Sequence, residues 1–134
     1  MIDRRSFLKT VSAGTAALLL LPSRLARPAT KQVGFKLDKA EKLKAVGGST
    51  VLAIKGHDIL FIRTGETEVR AFNPECTHQH CQVKYNPSTL HVECTCHGSA
   101  FDMTGKVLGG PAPAPLQVYP ATLADDKVIV TVEE

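Results

Sequence analysis

Two short stretches, Cys76-Thr77-His78-Gln79-His80-Cys81 and Cys94-Thr95-Cys96-His97-Gly98-Ser99, hold all four cysteines of the 134-residue chain. Each falls in a predicted loop between short β-rich runs. Ahead of the first lie Thr50 to Ile54, the turn Lys55-Gly56-His57-Asp58, Ile59 to Arg63, the turn Thr64-Gly65-Glu66, and Val69 to Phe72. Runs of this length, broken by Gly- and Asp-containing turns, predict an antiparallel meander. Between the stretches lie Gln82 to Tyr85, the turn Asn86-Pro87-Ser88, and Leu90 to Glu93. Ser99 to Met103, a turn at Thr104-Gly105, Gln117 to Leu123, a turn at Asp125-Asp126, and Val128 to Val132 complete the series. In the last run apolar residues alternate, as in a strand with one buried face. The only helical signal is short, at Asp38 to Lys44. The expected fold class is therefore all-β, built from small antiparallel sheets.

The two stretches carry the chemistry. A thiolate and an imidazole stand two positions apart in one loop, Cys76 and His78, and three apart in the other, Cys94 and His97. Together the loops can offer two thiolates and two imidazoles to a shared site. Zinc is the rival. Cys94-Thr95-Cys96 would then place thiolates one residue apart on a single tetrahedral ion, whereas zinc-binding pairs are usually two to four apart. A scaffold of two disulfides would leave the histidines unused. A catalytic cysteine would need a general base, and none stands out.

The two stretches resemble the cluster-binding loops of Rieske proteins, in particular the iron-sulfur subunit of cytochrome bc-type (quinol-cytochrome c reductase) complexes. That resemblance implies the Rieske fold, with a two-loop cluster-binding subdomain at about 74–114, and a Rieske 2Fe-2S cluster. It implies Cys76, His78, Cys94 and His97 as ligands, the cysteines on one iron and the histidines on the other, and a disulfide between Cys81 and Cys96. A bridge of that kind would hold two loops with little local core in register and would require an oxidising compartment. Gly110-Pro111-Ala112-Pro113 resembles the proline loop that shields the cluster in this subclass. Ser99 is implied as a hydroxyl donor to a cluster sulfur, which raises the potential. Phe101 stands where respiratory members commonly carry a tyrosine, a second such donor, so a potential below that of two-donor members is expected.

Imidazole in place of thiolate sets the class potential at about −150 to +300 mV. The implied activity is one-electron transfer, by a subunit of an oxidoreductase rather than by a catalyst alone. The partners expected are a quinol-oxidising cytochrome b-type subunit and a c-type cytochrome. Gln79 and His80 replace the apolar residue and glycine usual at the tip of the first loop. This polar tip keeps open the alternative of a soluble or peripheral periplasmic carrier, or the small subunit of an oxidoreductase such as arsenite oxidase. Ring-hydroxylating oxygenases fit less well, since their Rieske domains generally lack the extra cysteine pair. His57 and His91 read as structural.

Residues 1–31 carry six basic groups against the single acid Asp3, whereas residues 32–134 hold 10 basic and 12 acidic residues. The body of the chain thus lacks the basic stripe of a nucleic-acid binder. Asp3-Arg4-Arg5-Ser6-Phe7-Leu8-Lys9 resembles a bacterial twin-arginine signal, followed by an apolar run from Val11 to Leu21. That run is shorter than the roughly 20 residues needed to span a bilayer. Arg24 and Arg27 lie two positions before Ala26 and Ala29, where signal cleavage wants small residues, which leaves a weak membrane anchor as the alternative to a removed signal. The division expected is a signal or anchor with its linker at 1–31 and a Rieske domain at 32–134. The place expected is the bacterial periplasm or the outer face of the cytoplasmic membrane, after export in the folded state.

Overall fold

The computed structural model describes residues 29–133. Its strands are β1 (Thr30–Lys36), β2 (Ser49–Ile54), β3 (His57–Arg63), β4 (Val69–Phe72), β5 (Val83–Asn86), β6 (His91–Cys94), β7 (Ala100–Phe101), β8 (Val107–Gly109), β9 (Val118–Tyr119), β10 (Ala121–Ala124) and β11 (Lys127–Glu133). They form three antiparallel sheets of order β1-β11-β10, β2-β3-β4-β9 and β5-β6-β7-β8. The all-β expectation holds. The helical signal resolves into two single 3-10 turns, Leu37–Lys39 and Glu41–Leu43, whose buried Leu37 and Leu43 cap one core.

Strand β3 explains the architecture. Its run Ile59-Leu60-Phe61-Ile62 is buried at every position. A strand reads as continuously apolar when both of its faces are covered. Ile59 and Phe61 point into one core with Leu43, Val128, Val130 and Val132, while Leu60 and Ile62 point into a second with Cys76, Val83, Val92, Cys94 and Phe101. This strand is therefore the wall between a base and the part that carries the two loops. Each of its buried aliphatic side chains contributes about 1.5–3 kcal/mol.

The predicted meander is present as β2 to β4. Its first turn is tighter than expected: Lys55 and Gly56 alone make the bend, with φ of 51° and 82°. Two positive φ values fit the twist of a two-residue hairpin, so His57 and Asp58 belong to β3.

Two expectations are corrected. Residues 117–123 do not form one strand: Pro120 divides β9, paired with β4, from β10, paired with β11. Proline has no N–H for a ladder, so the chain changes sheet there. Residues 30 and 31, placed with the linker, are the start of β1, whose full length pairs with β11 from Thr30↔Glu133 to Lys36↔Lys127.

Candidate metal centre

The first cysteine-histidine stretch joins β4 of the second sheet to β5 of the third, and the second joins β6 to β7 within the third. The β5–β6 ladder closes with Val83 opposite Cys94, which aims the loops at each other. The first is pinched at its neck by the Cys76 N–H donating to the Cys81 carbonyl at 2.7 Å and the Val83 N–H donating to the Pro74 carbonyl at 2.7 Å. Its tip turns through Gln79 and His80, both left-handed at φ 58° and 55°. The second loop is closed by Cys94 N–H to the Ser99 carbonyl at 2.8 Å, with Gly98 at φ 74°. A disulfide joins Cys81 to Cys96 across the two loops, with Cα atoms 6.3 Å apart.

That leaves Cys76 and Cys94 as free thiols, both buried. Cys94 Sγ also lies within 4.8 Å of the Cys81 and Cys96 sulfurs. A disulfide sulfur has no thiolate to give, so this group is no single-ion site. His78 and His97 meet at the open end of the loops, ring centroids 4.8 Å apart and nearly perpendicular. His97 is exposed, whereas His78 is half-buried and its Nδ1, fully shielded from solvent, has no hydrogen-bond partner among the described residues. A buried polar atom without a partner is uncommon and costly.

Electrostatics at Cys76 point the same way. Burial pushes its thiol above the ordinary range, and the Cys94 thiol adds to the effect. Against them work the His78 N–H, 3.4 Å from the Cys76 sulfur, and the Ser99 hydroxyl. Two donors are thus directed at a sulfur in a dry pocket, the environment a ligating thiolate requires. Ser99 is almost wholly buried, and its Oγ accepts the Ala112 N–H at 3.1 Å. Phe101 is completely buried in the same core as both free thiols, where it has no polar atom to offer.

The proline segment lies against both loops. Gly110 has φ 84°, and a Cβ there would come 2.5 Å from Ser99 Cα and 2.8 Å from Ser99 N. Only glycine allows this approach of backbone to backbone. On the other side the Thr77 hydroxyl donates to the Ala114 carbonyl at 2.7 Å, a contact that nothing in the sequence announces because 37 residues separate the partners. Asn73 N–H donates to the Gln117 carbonyl at 2.9 Å, fixing the far end of the segment.

Two thiols at a buried end, two imidazoles at an open end and an orphaned imidazole nitrogen between covalently tied loops fit a two-iron cluster with mixed ligands. Residues 34–120 match the model of the Rieske [2Fe-2S] domain.

The chain belongs to the Rieske [2Fe-2S] domain family.

Its cofactor is the 2Fe-2S cluster of that family. Among relatives, the cytochrome b6-f complex iron-sulfur subunit of Prochlorococcus marinus (strain NATL1A) is 39% identical over 85 residues, which are 62% of this chain and 48% of that protein. The chain spans about half the length of the curated relatives it matches. Among solved structures, the plasma membrane Rieske protein PetC3 of Synechocystis PCC 6803 superposes with a TM-score of 0.58 at 30% identity, covering 75% of this chain and 97% of that one. The ferredoxin of carbazole 1,9a-dioxygenase from Nocardioides aromaticivorans IC177 shares the fold, with a TM-score of 0.60 at 22% identity over 76% of this chain and 96% of that one. Among the described residues no helix is long and apolar enough to cross a membrane. The twin-arginine stretch and the apolar run after it lie outside the described residues.

Proposed function

We propose that this Rieske domain transfers single electrons as the iron-sulfur component of a quinol-oxidising cytochrome bc-type complex, with Cys76 and Cys94 holding one iron and His78 and His97 the other. The observation that carries the ligand set is the separation of roles within each loop: one cysteine is spent on the disulfide and one is left free, while the two imidazoles converge at 4.8 Å. The cluster, when bound, supplies a one-electron couple. Around it the protein's own groups do the tuning. The His78 N–H and the Ser99 hydroxyl stabilise negative charge at the Cys76 sulfur, which favours the more negative reduced state. The proline segment covers the flank of the site formed by Thr77 on the first loop and Gly98 and Ser99 on the second. His97, exposed, forms the edge through which a partner is reached.

The b6-f relatives support the bc-type setting, and the partners it supplies are a cytochrome b-type subunit and a c-type cytochrome. In this reading residues 1–31 are the export signal or anchor, 32–134 the Rieske domain, and the place of work the periplasm or the outer face of the cytoplasmic membrane. One observation favours a second reading, a peripheral periplasmic carrier or small oxidoreductase subunit: Gln79 and His80 make the loop tip polar and exposed, a poor lining for an apolar quinol pocket.

Electron paramagnetic resonance on the purified protein after ascorbate and then dithionite, with iron and zinc assayed on the same sample, tests the proposal. A Rieske signal with ascorbate is expected. A signal needing dithionite would move the protein to a low-potential ferredoxin role, and zinc without iron would overturn the cluster.

A further inference from the structure

A polar cleft of about 410 Å³ opens beside the first cluster loop, lined by His57, Asp58, Glu75, His80, Gln82 and Tyr119 among others. We propose that it is a docking cleft for a lysine or arginine side chain of the protein that exchanges electrons with this domain. The inference rests on the electron-transfer reading above and adds the surface by which the partner is recognised.

The lining includes two carboxylates, Asp58 and Glu75, and two imidazoles, His57 and His80, with no lysine or arginine. The Asp58 side chain makes no hydrogen bond or ion pair among the described residues. Glu75 has one ionic contact, to His80 Nδ1 at 3.4 Å, and both side chains are largely exposed. Tyr119 supplies a second, independent observation. It is 7% exposed, it lines the cleft, and its hydroxyl has no hydrogen-bond partner among the described residues. Its oxygen is not among the solvent-shielded atoms, so it faces the open cleft and is free to accept from a donor seated there. Burial pushes its ionisation upward, and the charges of Glu133 and Glu75 push it further, so the negative field of the cleft reaches the phenol.

The volume is about fourteen times one water's share of about 30 Å³, room for a long side chain. Among the described residues no three of its Asp, Glu or His atoms approach within 4.8 Å, so it is not shaped for a bare metal ion. A guanidinium or ammonium suits acceptors spaced this way. Glu75 immediately precedes the loop from Cys76 to Cys81 and His80 lies within it, so a side chain seated here holds its owner against the loop that carries His78.

The test uses the full-length, cluster-loaded protein, oxidised and labelled with 15N, titrated with the peptide acetyl-Gly-Arg-Arg-Gly-amide and followed by NMR. Saturable shifts are expected at the Asp58, Gln82 and Tyr119 amides, weakened by about 0.15 M NaCl. The double variant Asp58→Asn with Tyr119→Phe should bind about tenfold more weakly. Asp125→Asn with Asp126→Asn, which removes more charge at the β10–β11 turn, should bind as the parent does. Thermal melts establish that each variant is folded. No saturable shift at these amides, or equal weakening in both double variants, would overturn the cleft. Peptide binding in a protein that fails to reduce a c-type cytochrome would overturn the electron-transfer reading and leave the cleft standing. Reduction of the cytochrome without peptide shifts would do the reverse.

Discussion

Ser99 Oγ accepts the Ala112 N–H at 3.1 Å in a buried setting, 13 residues away along the chain. With that lone pair occupied, the hydroxyl proton is left to donate to the Cys76 sulfur, where it counteracts the effect of burial on the thiol. The proline segment thus fixes the orientation of a hydroxyl as well as covering the site. Ser99→Ala removes the donor to sulfur and leaves the Ala112 N–H without its partner. The potential should fall by about 40 mV, the one-electron equivalent of a hydrogen bond worth about 1 kcal/mol. Stability should fall by about 1–3 kcal/mol for the buried orphan N–H. A redox titration and a denaturant melt read the two effects separately.

Gly110→Ala tests the same relationship from the other side. The added methyl would stand 2.5 Å from Ser99 Cα, and the residue would keep a φ of 84°. Backbone on both sides cannot yield as a flexible side chain would. The expected loss is about 1–3 kcal/mol from the left-handed conformation alone, together with a lower potential as Ala112 moves off Ser99. An unchanged potential would mean that the proline segment does not orient the hydroxyl.

Phe101→Tyr should act in the opposite direction on the potential. Phe101 is completely buried in the same core as Cys76 and Cys94, the cysteines proposed as ligands, so a phenol placed there would bring a hydroxyl into the core that holds those sulfurs. A rise of about 40 mV, again one hydrogen bond, is expected by redox titration. No rise would remove Phe101 from the set of potential-tuning positions.

Loss of the disulfide in Cys81→Ser with Cys96→Ser should cost about 3 kcal/mol on the chain-entropy account, given the sequence separation of 15. The loops have few other bonds to each other, so cluster retention under mild heating should fall with it. Iron content and the visible absorbance after incubation measure that.

The cysteine-histidine loops were legible because metal ligation restricts residue type and spacing, and those restrictions are local. The meander was legible for a similar reason, since Ile59 to Ile62 and the turns around it carry their own signals. What escaped was non-local. Strand β1, Thr30 to Lys36, has only Val33 and Phe35 half-buried and owes its conformation to β11 at the other end of the chain. The break at Pro120 looked like one strand because residues on either side share strand-forming chemistry while pairing with different sheets. The Thr77–Ala114 and Ser99–Ala112 contacts join loops far apart in sequence, and no pattern within either loop specifies the other.

Asp102 offers the clearest pH-dependent contribution to stability. Its carboxylate accepts from the Thr104 hydroxyl at 2.6 Å, the Thr104 N–H at 2.8 Å and the Lys106 N–H at 3.0 Å, and so builds the turn between β7 and β8. The Thr104 hydroxyl does most to hold its ionisation below the ordinary carboxylate range; burial opposes, and the two N–H groups and the Lys106 charge assist. A carboxyl depressed in the folded state contributes stability that is fully present above its unfolded value, about 3.9, and is lost as pH falls through the folded value. The same turn places Gly105, whose carbonyl accepts the Leu116 N–H at 2.8 Å and so anchors the exit of the proline segment. Asp102→Asn should therefore lower the melting temperature near pH 7 and flatten its decline below about pH 4. Melting curves of parent and variant from neutral to acid pH measure this: parallel curves would show that Asp102 is not the titrating group, and converging curves would assign it the acid limb.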